Sequence, residues 1–200
     1  MNEIESVCVY CGSADGNDPR FAAAADELGQ TLAEAGVALV YGGGSLGLMG
    51  RVARAAMAAG GEVVGVIPQF LHDREVMLRE VTELIVTDDM HARKRLMFDR
   101  ADGFVALPGG VGTLEELVEM MTWSQLGRHE KPIVVANIAG FWDPLTTLID
   151  HMKAAGFIRA EWDVRYDVVD SVAEVLPKLA ERHVVLDEER EPDEAALRRL

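Results

Sequence analysis

Two stretches of the chain place residues that can do chemistry beside residues that can bind an anion. The first, LPGGVGTLEELVEMMTW at residues 107–123, has three glycines followed by a helix-like pattern with three glutamates. Glycine lets a ligand approach the main chain, and the free amides and dipole of a helix N-terminus favour an anion by up to ~2 kcal/mol. A carboxylate beside such a site is unfavourable unless a cation balances it or the reaction needs it. The Glu116 carboxylate is therefore expected either to have a cation beside it or to take part in a reaction.

The same glutamate has a structural interpretation. Thr113 and Glu116 have the spacing of a capping box, in which the threonine caps a helix that starts at Thr113 or Leu114. The glutamate then bonds back to the threonine amide. The local pattern fits both capping and chemistry.

The second stretch supplies the cations. TDDMHARKRLMFDR, at residues 87–100, predicts a helix that begins at an aspartate, with Arg93, Lys94 and Arg95 early in it. Each cation near a helix N-terminus opposes the dipole by ~0.3–1 kcal/mol, so we expect some of them to serve an anion. The alternative is that all three are solvated surface charges. The planar guanidinium of Arg93 suits a phosphate or a carboxylate.

Another glycine-rich loop, VALVYGGGSLGLMG at residues 37–50, follows a predicted strand and fits G-x-G-x-x-G. A dinucleotide site needs an acidic residue at the end of the next strand, which here ends in Val66, Ile67 and Pro68. The loop also lacks the G-K-[ST] ending of a triphosphate-binding loop. It still brings amides to a helix N-terminus, which predicts an anion or ribose site. A tight turn needed for packing is the alternative.

These stretches are positioned by short apolar runs that alternate with amphipathic segments. The runs are apolar throughout, as in strands covered on both faces. The alternation predicts an α/β fold with one Rossmann-like domain: a doubly wound, mainly parallel sheet of about seven strands flanked by helices. The predicted strands are 6–11, 37–41, 62–67, 81–86, 103–107, 132–137 and 166–169. The predicted helices are one from Pro19 to Gly36 and others at 47–59, 89–100, 114–126, 143–155 and 171–182.

Ligands in such folds bind beyond the carboxyl ends of the strands. This rule limits the site to the loops 11–18, 41–50, 68–73, 87–94, 108–116 and 137–143. The domain is assigned to residues 1–186. The charge-dense residues 187–200 are predicted to be a solvated tail.

Composition argues against several classes of protein. A net charge of −15 repels a polyanion, so no nucleic-acid partner is expected. No apolar run approaches the ~18 residues that span a bilayer, and none near the N-terminus resembles a signal peptide, so we expect no membrane partner and a cytoplasmic location.

Cys8 and Cys11 form a C-x-x-C inside a strand-like run, which favours buried thiols over redox chemistry. No His, Asp or Glu cluster has metal-ligand spacing, so no metal is expected. No cofactor is expected either.

Together these stretches resemble the Lonely Guy family, the cytokinin riboside 5′-monophosphate phosphoribohydrolases. PGGVGTLEE is similar to the family's P-G-G-x-G-T-x-x-E motif. CVYCGS, VYGGGSLGLMG, GVIP, MHARK and the stretch from TWSQLG to H-x-KP follow the family's order and spacing. The family has often been labelled lysine decarboxylase, but the chain has no pyridoxal-phosphate lysine motif.

The resemblance implies hydrolysis of the N-glycosidic bond of an N6-modified adenosine 5′-monophosphate, giving free cytokinin base and ribose 5-phosphate. It implies that Arg93 and Glu116 are the catalytic pair, that the substrate is a nucleoside 5′-monophosphate, and that the protein forms a homodimer. Such cleavage passes through a cationic, oxocarbenium-like sugar, which a carboxylate can stabilise while it positions or deprotonates water. The predicted substrate-binding residues are Glu75, Lys94, Gly110, Val111, Gly112, Thr113 and Thr122, with Gly43, Gly44 and Ser45 of the first glycine loop.

Three other functions are weighed against this one. A broader AMP or nucleotide nucleosidase would use the same chemistry. A non-catalytic nucleotide-binding carrier or sensor of the same fold would bind the monophosphate without releasing base. A nicotinamide-dependent oxidoreductase is disfavoured, because the acidic residue after the third strand is missing.

Overall fold

Seven strands form one sheet in the computed structural model, which describes residues 4–72, 77–159 and 163–183. The strands are β1 (Ser6–Tyr10), β2 (Ala38–Tyr41), β3 (Val63–Pro68), β4 (Glu83–Thr87), β5 (Gly103–Ala106), β6 (Ile133–Ala136) and β7 (Asp167–Val169). Their order across the sheet is β4-β3-β2-β1-β5-β6-β7, and every neighbouring pair is parallel. The predicted α/β, doubly wound parallel sheet is confirmed.

The helices connect these strands. They are α1 (Pro19–Glu34), α2 (Gly47–Ala58), α3 (Gln69–His72), α4 (Met90–Asp99), α5 (Val111–Gln125) and α6 (Asp143–Ala154). Two 3₁₀ turns lie at Ile138–Gly140 and Val172–Glu174, and residues 175–183 after the second turn are helical. The sequence pattern predicted neither α3 nor the first 3₁₀ turn, because both are too short to show periodicity.

The sheet is covered by an apolar layer on each face, as the continuous apolar runs predicted. Side chains of β1 alternate between the two layers, because successive residues of a strand point to opposite faces. Val7 and Val9 pack in the layer formed with α1 and α2. Cys8 and Tyr10 pack in the other layer, which contains side chains of α4 and α5. Helices α4 and α5 therefore share one face of the sheet.

The two cysteines are buried free thiols, as predicted. Cys8 belongs to the layer with α4 and α5, whereas Cys11 belongs to the layer with α1 and α2. Burial raises the pKa of both thiols. Side chains on opposite faces of a sheet do not bridge, so this C-x-x-C is a packing feature.

The connections after β1 and β5 run to opposite faces of the sheet. Helix α1 follows β1 and covers one face, while α5 follows β5 and covers the other. In a parallel sheet, a crevice forms at the carboxyl ends of two neighbouring strands whose connections leave toward opposite faces. The crevice between the carboxyl ends of β1 and β5 is therefore the expected binding site.

Two further predictions concern membrane-spanning helices and the C-terminal tail. Within the described residues, no helix is long and apolar enough to cross a membrane. The predicted tail at 187–200 lies outside the described residues, and the domain boundary at 186 stays a prediction.

Candidate active site

Three cavities meet at the glycine turn between β5 and α5, and Gly110 lines all of them. The polar cavity, about 280 Å³, contains both predicted catalytic residues. The switch-point cavity, about 260 Å³, lies between the loops that follow β1 and β5. The apolar cavity, about 430 Å³, lies between the starts of α5 and α6. The polar cavity is lined by Cys11, Ser13, Met49, Met90, Arg93, Gly110, Val111, Gly112, Thr113, Glu115 and Glu116.

Arg93 enters the polar cavity from the first turn of α4. The helix begins as predicted at an aspartate, since the Asp89 carboxylate accepts a hydrogen bond from the Ala92 amide at 2.8 Å. Arg93 is 8% exposed, and its guanidinium donates from Nε to the Val66 carbonyl at 3.1 Å and from Nη2 to the Gly42 carbonyl at 3.4 Å. These two carbonyls orient the guanidinium at the ends of β3 and β2.

Glu116 faces Arg93 from α5. It is 9% exposed, and its Oε1 lies 3.7 Å from Nη1 of Arg93, an ion pair longer than a hydrogen bond. Burial raises the pKa of the Glu116 carboxyl, and the charge of Arg93 opposes that rise. A carboxylate with a raised pKa beside a polar cavity is suited to take a proton from water.

The capping interpretation of Glu116 is wrong. Helix α5 begins at Val111 with Gly110 as its N-cap, so Thr113 is the third helical residue and Glu116 the sixth. The helix therefore starts earlier than predicted: Gly110 is the last extended residue, and the helical conformation begins directly after it. Glu116 is thus too far along the helix to bond the N-cap amide.

The start of α5 presents main-chain amides to the polar cavity. The first amides of a helix have no acceptor within it, and here they belong to Val111, Gly112 and Thr113. A Cβ added at Gly110 or Gly112 would meet nothing within 4 Å, so a ligand can reach the backbone there. These amides and the Arg93 guanidinium are suited to bind an anion, and the Glu116 carboxylate lines the same cavity.

The first glycine loop contributes to the site through Arg93. The Gly42 carbonyl accepts from the guanidinium, and a Cβ at Gly42 would overlap Nη2 of Arg93. Gly43 has a φ of +76°, Gly44 pairs with Met77 in an isolated bridge, and the Ser45 carbonyl accepts from Arg54 at 2.9 Å. Because Gly43, Gly44 and Ser45 line none of the three cavities, their contact with a substrate stays a prediction.

Two further predicted residues, Lys94 and Thr122, also lie away from these cavities. Lys94 donates from Nζ to Glu115 at 2.6 Å and to Glu119 at 3.0 Å. Thr122 is exposed, and its hydroxyl donates to the Val118 carbonyl at 2.7 Å. Glu75 lies outside the described residues.

Several lining residues were not predicted individually. Ser13 and Met90 line the polar cavity, and residues 12–17 with Phe21 and Phe141 line the switch-point cavity. Ser13, residues 12–17, Met90 and Phe141 lie in loops that the strand-end rule had marked. The rule locates a loop, but it does not say which of its side chains turns inward.

The described residues contain no group of three or more His, Cys, Asp or Glu side chains arranged to hold a metal ion. The charged groups that the structure shows at the polar cavity are the Arg93 guanidinium, the Glu115 and Glu116 carboxylates and the N-terminus of α5.

The fold and the site define a class of protein: a Rossmann-like α/β protein with a buried arginine–glutamate pair at the strand ends. Among solved structures, the molybdenum cofactor carrier protein from Chlamydomonas reinhardtii superposes with a TM-score of 0.68 at 22% sequence identity. The superposition covers 91% of this chain and 99% of that one. This likeness supports the fold.

Sequence comparison is more specific. A protein-family model described as "Possible lysine decarboxylase" matches residues 49–179. The probable cytokinin riboside 5′-monophosphate phosphoribohydrolase LOGL1 of Oryza sativa subsp. japonica is 50% identical over 155 residues, 78% of this chain and 70% of that protein. The cytokinin riboside 5′-monophosphate phosphoribohydrolase LOG1 of Arabidopsis thaliana is 48% identical over 160 residues, 78% of this chain and 75% of that protein. The chain belongs to their family, the Lonely Guy family.

Proposed function

We propose that the protein hydrolyses the N-glycosidic bond of N6-modified adenosine 5′-monophosphates. Water adds across the bond: its oxygen goes to the anomeric carbon of the ribose and a proton goes to the base. The products are a free cytokinin base and ribose 5-phosphate. The family relatives are named for this reaction, and the site geometry supports it.

One observation carries the proposal. The buried Glu116 carboxylate lies 3.7 Å from the Arg93 guanidinium, in a cavity that also contains the free amides of α5. A nucleoside monophosphate presents a phosphate for the amides and a sugar for the carboxylate. The same cavity therefore holds groups of the right charge for both ends of the ribose 5-phosphate.

The residues divide the chemistry between them. Glu116, ionised, stabilises the oxocarbenium-like sugar and positions or deprotonates the attacking water. The amides of Gly112 and Thr113 bind the phosphate at the dipole of α5. Arg93, whose guanidinium is held by two carbonyls, orients Glu116 and balances its charge.

The decarboxylase description of the family model is not supported by the site. A pyridoxal-phosphate enzyme holds its cofactor through a lysine Schiff base. None of the described residues that line the three cavities is a lysine, and Lys94 is bonded to two glutamates. The N-glycosidase reaction uses the groups that line the polar cavity.

The direct test is to incubate the purified protein with N6-isopentenyladenosine 5′-monophosphate and to quantify free base by chromatography. AMP and the dephosphorylated riboside are run in parallel. Base from the modified monophosphate and none from the riboside is the expected result. Base from AMP at a comparable rate would instead identify the broader nucleotide nucleosidase.

A non-catalytic carrier is the second candidate, because the molybdenum cofactor carrier protein from Chlamydomonas reinhardtii has the same fold. A carrier would bind a nucleoside monophosphate and release no base from it. Isothermal titration with AMP, alongside the chromatographic assay, separates the two functions. Binding without base from any substrate would exclude the hydrolase.

Replacing Gly42 by alanine is expected to reduce base release by about a hundredfold, because the new methyl group displaces the Arg93 guanidinium from Glu116. The variant should fold, because the backbone of Gly42 does not adopt a positive φ and alanine can therefore take the same conformation. Chromatography gives the rate and circular dichroism the melting temperature. A wild-type rate at a wild-type melting temperature would show that the position of Arg93 does not limit the reaction.

A homodimer is also proposed. Val111 and Val118 are exposed and lie seven residues apart on one face of α5, and Leu148 and Phe157 are exposed in and after α6. Exposed apolar side chains on neighbouring elements are typical of a protein interface. Light scattering coupled to gel filtration should give about twice the chain mass of 21.8 kDa, and the monomer mass would contradict the proposal.

A further inference from the structure

Met90, the first residue of α4, lies beside the guanidinium of Arg93. Its thioether accepts a hydrogen bond from Arg93 Nη1, with 3.8 Å between sulfur and nitrogen. The same nitrogen lies 3.7 Å from Oε1 of Glu116. One nitrogen of the guanidinium therefore faces both the carboxylate and a sulfur atom.

The sulfur of Met90 can be reached by a small molecule that enters the site. Met90 is half-buried and lines the polar cavity, whereas Met97 and Met120 are buried in the core. The thiol of Cys11 lines the same cavity, but burial and the charge of Glu116 raise its pKa. Because the thiolate is the reactive form of cysteine, an oxidant in the cavity meets a reactive sulfur first at Met90.

We propose that Met90 is a modification site through which a peroxide inhibits base release. The peroxide oxidises the thioether to a sulfoxide, and the new oxygen takes Arg93 Nη1 away from Glu116. The inference rests on the proposed hydrolase function, and it adds a means of regulating the same site.

The oxidation transfers one oxygen atom to the sulfur. A sulfur lone pair attacks an oxygen of hydrogen peroxide, so an S–O bond forms while the O–O bond breaks. The departing hydroxide takes the proton of the transferred oxygen and leaves as water. Sulfur is oxidised by two electrons and the peroxide is reduced by two. Methionine sulfoxide reductase reverses the change.

The sulfoxide changes the contact with Arg93, because a thioether sulfur is a weak acceptor and a sulfoxide oxygen is polar. The guanidinium already donates from Nε and Nη2 to the Val66 and Gly42 carbonyls. Nη1 faces Glu116 at a distance longer than a hydrogen bond. A charge-assisted hydrogen bond from Nη1 to the sulfoxide would therefore outcompete the carboxylate, and Glu116 would lose the group that orients it.

The test compares wild type and Met90→Leu before and after treatment with hydrogen peroxide. Base released from N6-isopentenyladenosine 5′-monophosphate is measured, and each protein is compared with its own untreated sample. The peroxide dose is one that oxidises Met90 in the wild type, as detected by peptide mass spectrometry. We expect the wild-type kcat to fall by about tenfold or more, and methionine sulfoxide reductase to restore it. Met90→Leu should keep its rate, because leucine has no sulfur to oxidise.

Two control variants remove other methionines. Met57 is half-buried in α2 and lines none of the three cavities, so Met57→Leu should be inhibited as strongly as the wild type. Met49 also lines the polar cavity, and Met49→Leu separates its sulfur from that of Met90. Peroxide should inhibit this variant as well.

Met90→Gln tests the same contact without an oxidant. The amide oxygen of glutamine stands in for the sulfoxide oxygen, and both are acceptors for a guanidinium. We expect Met90→Gln to release base more slowly than Met90→Leu. This comparison also separates the effect of the new acceptor from the loss of the methionine side chain.

Equal inhibition of Met90→Leu and wild type would overturn the inference, and so would oxidation of Met90 at an unchanged rate. A Met90→Gln rate equal to that of Met90→Leu would overturn it too. Failure of the proposed function is distinguishable, because the untreated wild type would then release no base. In that case the side-chain N–H resonances of Arg93 give the answer by NMR: they should shift when Met90 is oxidised, and unmoved resonances would contradict the contact.

Discussion

Replacing Glu116 by glutamine is expected to stop base release in a protein that still folds and binds nucleotide. The reaction develops positive charge on the sugar, and a neutral amide neither stabilises that charge nor accepts a proton from water. Removing such a group typically lowers kcat by at least about a hundredfold. Chromatographic measurement of free base gives kcat, and titration with AMP gives the affinity.

The fold should tolerate this change. Glutamine has nearly the shape of glutamate, and the Arg93 guanidinium keeps its two carbonyl acceptors. Because α5 is capped by Gly110 and not by Glu116, the substitution removes no cap. Glu34→Gln, at the exposed end of α1, is the matched control and should retain wild-type activity. Substantial base release by the Glu116 variant would assign the proton transfer and charge stabilisation to other groups.

The pH profile gives a second measure of the same residue. Burial raises the pKa of Glu116, so its active, ionised form is lost as pH falls through a value above the ~4.3 of an exposed glutamate. We expect the wild-type kcat to decrease along that limb. Whatever activity remains in Glu116→Gln should lack the limb, since glutamine does not titrate in this range.

The sheet was predictable from the sequence because its strands are apolar throughout. Continuous apolar runs such as β3 and β6 are typical of strands that are covered on both faces of a sheet. The helical patterns between the runs predict crossover connections, which join parallel strands. The start of α1 was equally predictable, because Asp18 and Pro19 form a local signal. Short elements such as α3 depend on tertiary contacts and leave no periodic pattern.

The site was predictable in part, for a physical reason. Arg93 and Glu116 stand out because each contradicts a local rule: a cation near a helix N-terminus and a carboxylate beside an anion site. Lys94 contradicts the same rule as Arg93, yet its charge is matched by glutamates 21 and 25 residues away. Such long-range pairing is set by how α4 packs against α5, which the sequence alone does not reveal.

Replacing Arg93 by lysine should reduce kcat by roughly tenfold to a hundredfold although the charge is kept. A single ammonium cannot reproduce the planar fork that donates to the Val66 and Gly42 carbonyls while facing Glu116. At least one of these carbonyls would lose its donor, and an unsatisfied buried polar group costs about 1–3 kcal/mol of unfolding free energy. Steady-state kinetics and denaturant unfolding measure the two effects.

The matched control is Arg95→Lys, two positions along α4, where the side chain is 72% exposed and lies 4.0 Å from Asp99. It should leave rate and stability unchanged, because a solvated ion pair of this kind contributes little. If Arg93 bound the phosphate directly, its replacement by lysine would raise KM more than it lowers kcat. A fall in kcat at constant KM, together with lower stability, would instead identify the two carbonyls and Glu116 as the partners through which Arg93 acts.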